Sequence, residues 1–152
     1  MLNFQESFVL IGLEAPDSDA VINRLAGCLH QDGVVSAQYG ADTIKREKLH
    51  ATGLPTKPFP IAFPHADAEG VIESALAIAI LDKPVIFKNM ADPDEDLPVE
   101  LVIMMANKSP EEQIETLRNL AELFGQPEKL FELRNLTSTT KVLNWMREEL
   151  SL

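Results

Sequence analysis

Ala75-Leu76-Ala77-Ile78-Ala79-Ile80-Leu81 is a run of seven apolar residues with no polar alternation. A strand that faces water on one side alternates apolar with polar, so this run predicts a strand buried on both faces, inside a sheet that helices cover from both sides. Downstream, Asp82-Lys83-Pro84 predicts a break and Val85-Ile86-Phe87 a second short strand. Residues 89–98 predict an acidic loop and 99–105 another buried strand. Ser109-Pro110-Glu111-Glu112 reads as a helix start, with a capping hydroxyl, proline at the first helical position and glutamate at the third. That helix carries Ile114, Leu117, Leu120, Ala121 and Phe124 on one face and stops at Gly125. Two shorter helices are expected over 127–134 and 139–150.

Upstream, the apolar residues 8–13 predict the first strand. Pro16-Asp17-Ser18 opens a helix that ends at Gly33, glycine being the residue that most easily takes a left-handed cap. Ser36 is expected to cap a second helix running to about His50, with Ala37, Ile44 and Leu49 as its apolar positions. Strands alternate with helices, with no repeat or linker between them. The pattern predicts an α/β fold, a central mixed sheet with helices on both faces, as a single domain over 1–152.

Composition narrows the function. The formal net charge is −11, from 24 acidic against 13 basic residues. That disfavours nucleic acid, whose recognition needs a basic face, and anionic membrane. It suits a basic protein partner, and it also keeps a protein soluble. No apolar run approaches the ~20 residues that cross a bilayer, so direct membrane insertion is not expected. Cys28, the only cysteine, falls on the apolar stripe of the first helix. With no internal disulfide available, a reducing cytoplasm is the expected location.

The candidate site lies between the two halves of this pattern. Thr52-Gly53-Leu54-Pro55-Thr56-Lys57-Pro58-Phe59-Pro60 leads into Ile61-Ala62-Phe63-Pro64-His65-Ala66-Asp67. Pro55, Pro58, Pro60 and Pro64 fix φ and remove backbone donors, which makes this a shaped loop. A histidine at its end has its ring placed by the backbone, as nucleophilic or proton-transfer chemistry requires. Arg46, at the end of the second helix, comes just before this loop. A basic residue there also suits the helix dipole, so its position alone does not assign it to the site. Glycine-rich phosphate loops and the serine elbow are absent. His30, His50, His65 and Cys28 are too widely spaced for the common zinc motifs, so neither a metal nor a cofactor is expected.

Arg46-Glu47, Thr52-Gly53, Ile61-Ala62-Phe63-Pro64-His65, the 75–81 strand with Pro84-Val85-x-Phe87, and Gln113-Ile114-x-x-Leu117-x-x-Leu120 together carry a resemblance over nearly the whole chain. They resemble the IIA domains of the bacterial phosphoenolpyruvate-dependent sugar phosphotransferase system, fructose/mannitol class. Two positions depart from many members: Ala51 stands where proline is common, and Gln113 where a second histidine is common. The glutamine is similar to the galactitol-specific subgroup. The resemblance implies that His65 accepts a phosphoryl group from the phosphocarrier protein HPr and passes it to a cysteine of a cognate IIB, which serves a membrane IIC. Arg46 is the candidate cation for the phosphoryl oxygens, since a guanidinium matches them in a fork. Gln113 is a candidate neutral hydrogen-bond donor to them, with a solvent-facing helix position as its alternative. Asp67 or a backbone carbonyl would hold the second ring nitrogen of His65. Two other roles fit the same residues. One is a regulatory IIA-like protein phosphorylated on His65; the other is a binding module that keeps only the fold, although it would need neither Arg46 nor His65.

Overall fold

The computed structural model of the chain describes residues 2–152. In chain order the elements are β1 (Val9–Leu13), α1 (Ser18–Gln31), α2 (Tyr39–Leu49), β2 (Gly53–Leu54), β3 (Ile61–Ala62), β4 (Ala75–Lys88), β5 (Asp96–Ala106), α3 (Pro110–Phe124), α4 (Pro127–Arg134) and α5 (Thr139–Glu149). The strands form one sheet in the order β1-β4-β5-β3-β2. β1 runs parallel to β4 and β3 parallel to β5, whereas β4–β5 and β2–β3 are antiparallel, so the sheet is mixed.

Residues 75–81 are buried throughout and lie inside the sheet between β1 and β5. Helices supply the cover: α1 lies against β4 and β5 with α2 against it, while α3 meets β5 and α5 meets β1. Each fully buried Ile or Leu of this layer contributes about 1.5–3 kcal/mol relative to exposure. Helix starts follow the sequence reading at three places. Asp17 accepts the amide of Ala20 at 2.9 Å, Ser109 that of Glu112 at 3.2 Å, and Ser138 that of Lys141 at 3.3 Å. Gly33 takes φ +75° just after α1, the left-handed conformation expected there.

Four expectations need correcting. Ser36 does not cap α2, whose N-cap is Gln38 without a side-chain bond. The 34–36 segment is drawn into pairing instead: Val35 bridges Val71, and the Ser36 amide donates to the Gly70 carbonyl at 2.8 Å. α2 buries Tyr39, Gly40 and Thr43, leaving Leu49 71% exposed.

Asp82-Lys83-Pro84 does not end a strand either. β4 runs on to Lys88, and the register shifts between Ile80 and Val85. Pro84 sits in this exposed irregularity, where its missing donor breaks no ladder bond. The acidic loop is correspondingly shorter, because Asp96, Leu97 and Pro98 pair with Lys88, Phe87 and Ile86 as the start of β5. On α3 the buried face is rotated from the one expected: Thr116, Leu120 and Leu123 are buried, and Ile114 is 59% exposed.

Candidate functional site

β3 is only two residues long because Pro60 and Pro64 on either side lack the donors that would extend the ladder. The chain nevertheless stays beside β5. Ile61 and Ala62 pair with Leu101 and Val102, and His65 bridges Met105. The Met105 amide donates to the Pro64 carbonyl at 3.2 Å. His65 is thus held at the C-terminal end of β5, half-buried, on a backbone that is itself buried from Ile61 to Pro64.

Two side chains from α2 and the segment after it fix this loop. The buried Tyr39 hydroxyl donates to the Met105 carbonyl at 2.6 Å and accepts the Ala66 amide at 3.1 Å. Burial pushes this phenol up to about 12, so it keeps the proton that the first of these bonds needs. On the other side, the Thr52 hydroxyl accepts the Phe63 amide at 3.3 Å. Thr52 in turn donates to Glu47, from its amide and from its hydroxyl, each at 2.8 Å. Burial pushes the Glu47 carboxyl up to about 7, against the two Thr52 donations that pull it down. Gly53 follows because there is no room for a side chain: a Cβ there would stand 2.4 Å from the Lys88 carbonyl oxygen.

The ring of His65 is oriented from below. Its Nδ1 lies 3.0 Å from the Phe63 carbonyl oxygen. A carbonyl only accepts, so Nδ1 carries the proton and Nε2 keeps the lone pair. The ring lies nearly parallel to that of Phe63, 10° apart in plane with centroids 6.0 Å apart, and Phe63 rests on Phe124 of α3. Burial lowers the His65 pKa from its ordinary value, and the Arg46 guanidinium lowers it further. The Phe63 carbonyl and Asp67 oppose that shift without reversing it. The imidazole is therefore neutral near pH 7, with Nε2 free to act as a nucleophile.

Arg46 reaches the same loop. Its Nη1 is 3.3 Å from Asp67 Oδ1, two residues beyond His65. The pair borders an open cavity of about 310 Å³, also lined by Lys45, His50 and Glu69. Asp67 thus holds Arg46, and the backbone carbonyl of Phe63, not Asp67, holds the second ring nitrogen. Gln113 lies in the first turn of α3, which begins just past the end of β5 where His65 sits. Its side chain is half-buried and makes no hydrogen bond to His65 among the described residues. His30, at the end of α1, has Nδ1 3.0 Å from the Val35 carbonyl oxygen and ties the helix to the segment after it. Among the described residues no group of three histidine, cysteine, aspartate or glutamate side chains is close enough to hold a metal ion, and no helix is long and apolar enough to cross a membrane.

Sequence reasoning missed Tyr39, and it quoted Glu47 and Thr52 without a role for either. The buried position of Tyr39 on α2 was hidden by the expectation that α2 begins at Ser36. The Glu47–Thr52 contact joins residues five apart across a helix end, which no periodicity reports.

The family model described as "Phosphoenolpyruvate-dependent sugar phosphotransferase system, EIIA 2" matches residues 2–149. The chain is 33% identical over 147 residues to the transcriptional regulator ManR of Bacillus subtilis (strain 168), covering 96% of this chain but 21% of ManR. It is 30% identical over 132 residues to the galactitol-specific EIIA component of the phosphotransferase system of Escherichia coli (strain K12), covering 87% of each. Its fold matches the Escherichia coli mannitol enzyme IIA solved in complex with phosphorylated enzyme IIB. The TM-score is 0.74 at 21% identity, over 98% of this chain and 99% of that one.

Proposed function

This chain belongs to the EIIA 2 family of the phosphoenolpyruvate-dependent sugar phosphotransferase system, and on that premise we propose that His65 is its phosphoryl carrier. Nε2 attacks the phosphorus of phospho-HPr: the P–N bond of the donor breaks, a P–Nε2 bond forms, and Nδ1 keeps its proton. A cysteine thiolate of a cognate IIB then takes the phosphoryl group, returning the electron pair to Nε2. The observation that carries this reading is the Nδ1 contact with the Phe63 carbonyl, which leaves Nε2 as the free nucleophile.

Phosphoryl transfer passes through a loose, in-line transition state, so the protein's part is to position groups and stabilise charge. Arg46 supplies the cation: its guanidinium forks onto phosphate oxygens, exchanging Asp67 for the incoming group. Gln113 supplies a neutral donor from the first turn of α3. The likeness to the galactitol-specific component supports galactitol or a related polyol as the sugar served, with a membrane IIC completing the system.

Intact-mass analysis after incubation with phosphoenolpyruvate, enzyme I and HPr tests the reading. One acid-labile phosphate on the wild type, absent from His65→Ala, is the expected result. No added mass on the wild type overturns it and favours a binding module with this fold.

The likeness to ManR favours a second reading, in which the phosphorylated domain controls a regulator. Transfer from phospho-His65 to a IIB cysteine separates the two: the carrier reading requires it and the regulatory one does not.

A further inference from the structure

We propose that Glu47 is a positioning residue for phosphoryl transfer, holding the His65 ring in its reactive tautomer through Thr52 and Phe63. The claim about rate rests on the carrier reading above; the claim about the ring does not.

With Glu47 ionised, the chain of contacts runs in one direction, because a carboxylate only accepts. The Thr52 hydroxyl has a single hydrogen. It is spent on Glu47 Oε1 at 2.8 Å, while the Thr52 amide occupies Oε2 at the same distance. The lone pairs of the hydroxyl are thereby turned to the Phe63 amide, which donates to it at 3.3 Å. Phe63 is buried, so that amide has no water to fall back on. With its amide anchored, Phe63 presents its carbonyl to His65 Nδ1 at 3.0 Å and its ring to the imidazole face.

Without an acceptor at position 47, the Thr52 hydroxyl is free to turn its hydrogen elsewhere. The Ala62–Phe63 peptide then loses that anchor, Phe63 is freer to turn about its φ and ψ, and the carbonyl on its far side is no longer held in place against Nδ1. Glu47 and Arg46 are neighbours at the end of α2, so one helix turn sends a carboxylate to one flank of the His65 loop and a guanidinium to the other. This assigns roles to Arg46-Glu47 and Thr52-Gly53 as a single device. Arg46 serves the phosphoryl group, Glu47 and Thr52 serve the ring, and Gly53 allows Thr52 to sit against β4.

The test compares the wild type with Glu47→Met, Thr52→Val and Thr52→Ser. Nitrogen-15 NMR of the neutral imidazole reads the tautomer without any donor protein. Timed intact mass with phospho-HPr reads the rate. In the wild type Nε2 should be the unprotonated nitrogen. Glu47→Met, which keeps the length of the side chain and removes the acceptor, and the isosteric Thr52→Val should move the tautomer ratio at least about threefold toward Nε2–H and slow phosphorylation about tenfold, and Thr52→Ser should restore both.

A merely structural role would lower stability and leave the tautomer unchanged. An unchanged tautomer in Thr52→Val, or a Thr52→Ser variant that behaves like the valine, overturns the proposal. If the wild type takes no phosphate but the tautomer shifts as expected, the carrier reading falls and the positioning role stands. If it takes phosphate and neither readout moves, only the positioning role falls.

Discussion

The Tyr39 hydroxyl accepts the amide hydrogen of Ala66 at 3.1 Å, so a side chain from the first turn of α2 holds the residue that follows His65. The same oxygen donates to the Met105 carbonyl at 2.6 Å, tying the loop to the end of β5. Tyr39→Phe removes both bonds and leaves a buried amide and carbonyl unpaired. Loss of about 1–3 kcal/mol of stability is expected, read as a lower urea midpoint at unchanged slope. Unchanged stability would mean that water replaces the hydroxyl.

Asp67 holds Arg46, and on the carrier reading its negative charge would repel an arriving phosphoryl group. Asp67→Asn should therefore favour the phosphorylated form. The pair is solvent-exposed on the aspartate side, so the shift should be no more than about fivefold, measured as the equilibrium phosphorylated fraction against HPr. A shift toward the unphosphorylated form would show that Asp67 is needed to aim Arg46.

His65 should titrate below its ordinary value near 6.5, because burial and Arg46 both disfavour the imidazolium. NMR of the ring protons reads the midpoint directly. Protonation of His65 should slow phosphorylation only below that ordinary value. Glu47, pushed up to about 7, gains its proton across neutral pH, so on its positioning role the rate should begin to fall as pH drops through 7. The sign for stability follows: the unfolded chain binds the proton more readily, so this histidine's contribution is present above about pH 6.5 and is lost as pH falls through the lower folded value. Arg46→Ala should move the midpoint upward.

Gly53→Ala places a methyl group where the Lys88 carbonyl oxygen already stands, at 2.4 Å. Backbone must move to admit it, and a cost of about 1–3 kcal/mol is expected from chemical denaturation. Because Thr52 is the adjacent residue, the variant should also slow phosphorylation. A variant as stable and as fast as the wild type would show that β2 has room to slide.

The parts of this molecule that were legible in its sequence are those written in local patterns. Seven apolar residues at 75–81 gave a buried internal strand, and the Ser109-Pro110 cap gave the start of α3 to the residue. Pro64-His65 with Arg46 outlined a candidate site, and the structure brings Arg46 to the residue two beyond His65. What stayed hidden depends on partners far apart in the chain. Ser36 reads as a cap until Gly70 takes its amide, and Pro84 reads as a break until β5 shows where the ladder tolerates it. The choice between Asp67 and a carbonyl as the partner of Nδ1 turned on the path of the backbone between Phe63 and His65, which residue types do not encode.

The residues on both sides of His65 are tied down, Phe63 by Thr52, Pro64 by Met105 and Ala66 by Tyr39. Such a frame has little to rearrange when a group arrives or departs. A shuttle must hand its cargo on as readily as it receives it, which asks for a bond to Nε2 that is neither trapped nor spilled to water. On the carrier reading, with the main chain fixed, the group-transfer potential of that bond would be left to an ion pair that can re-form, Arg46 with Asp67 or with the phosphoryl oxygens. Two side chains, the half-buried Arg46 and the exposed Asp67, and not the fold, would then set how far uphill or downhill each relay step runs.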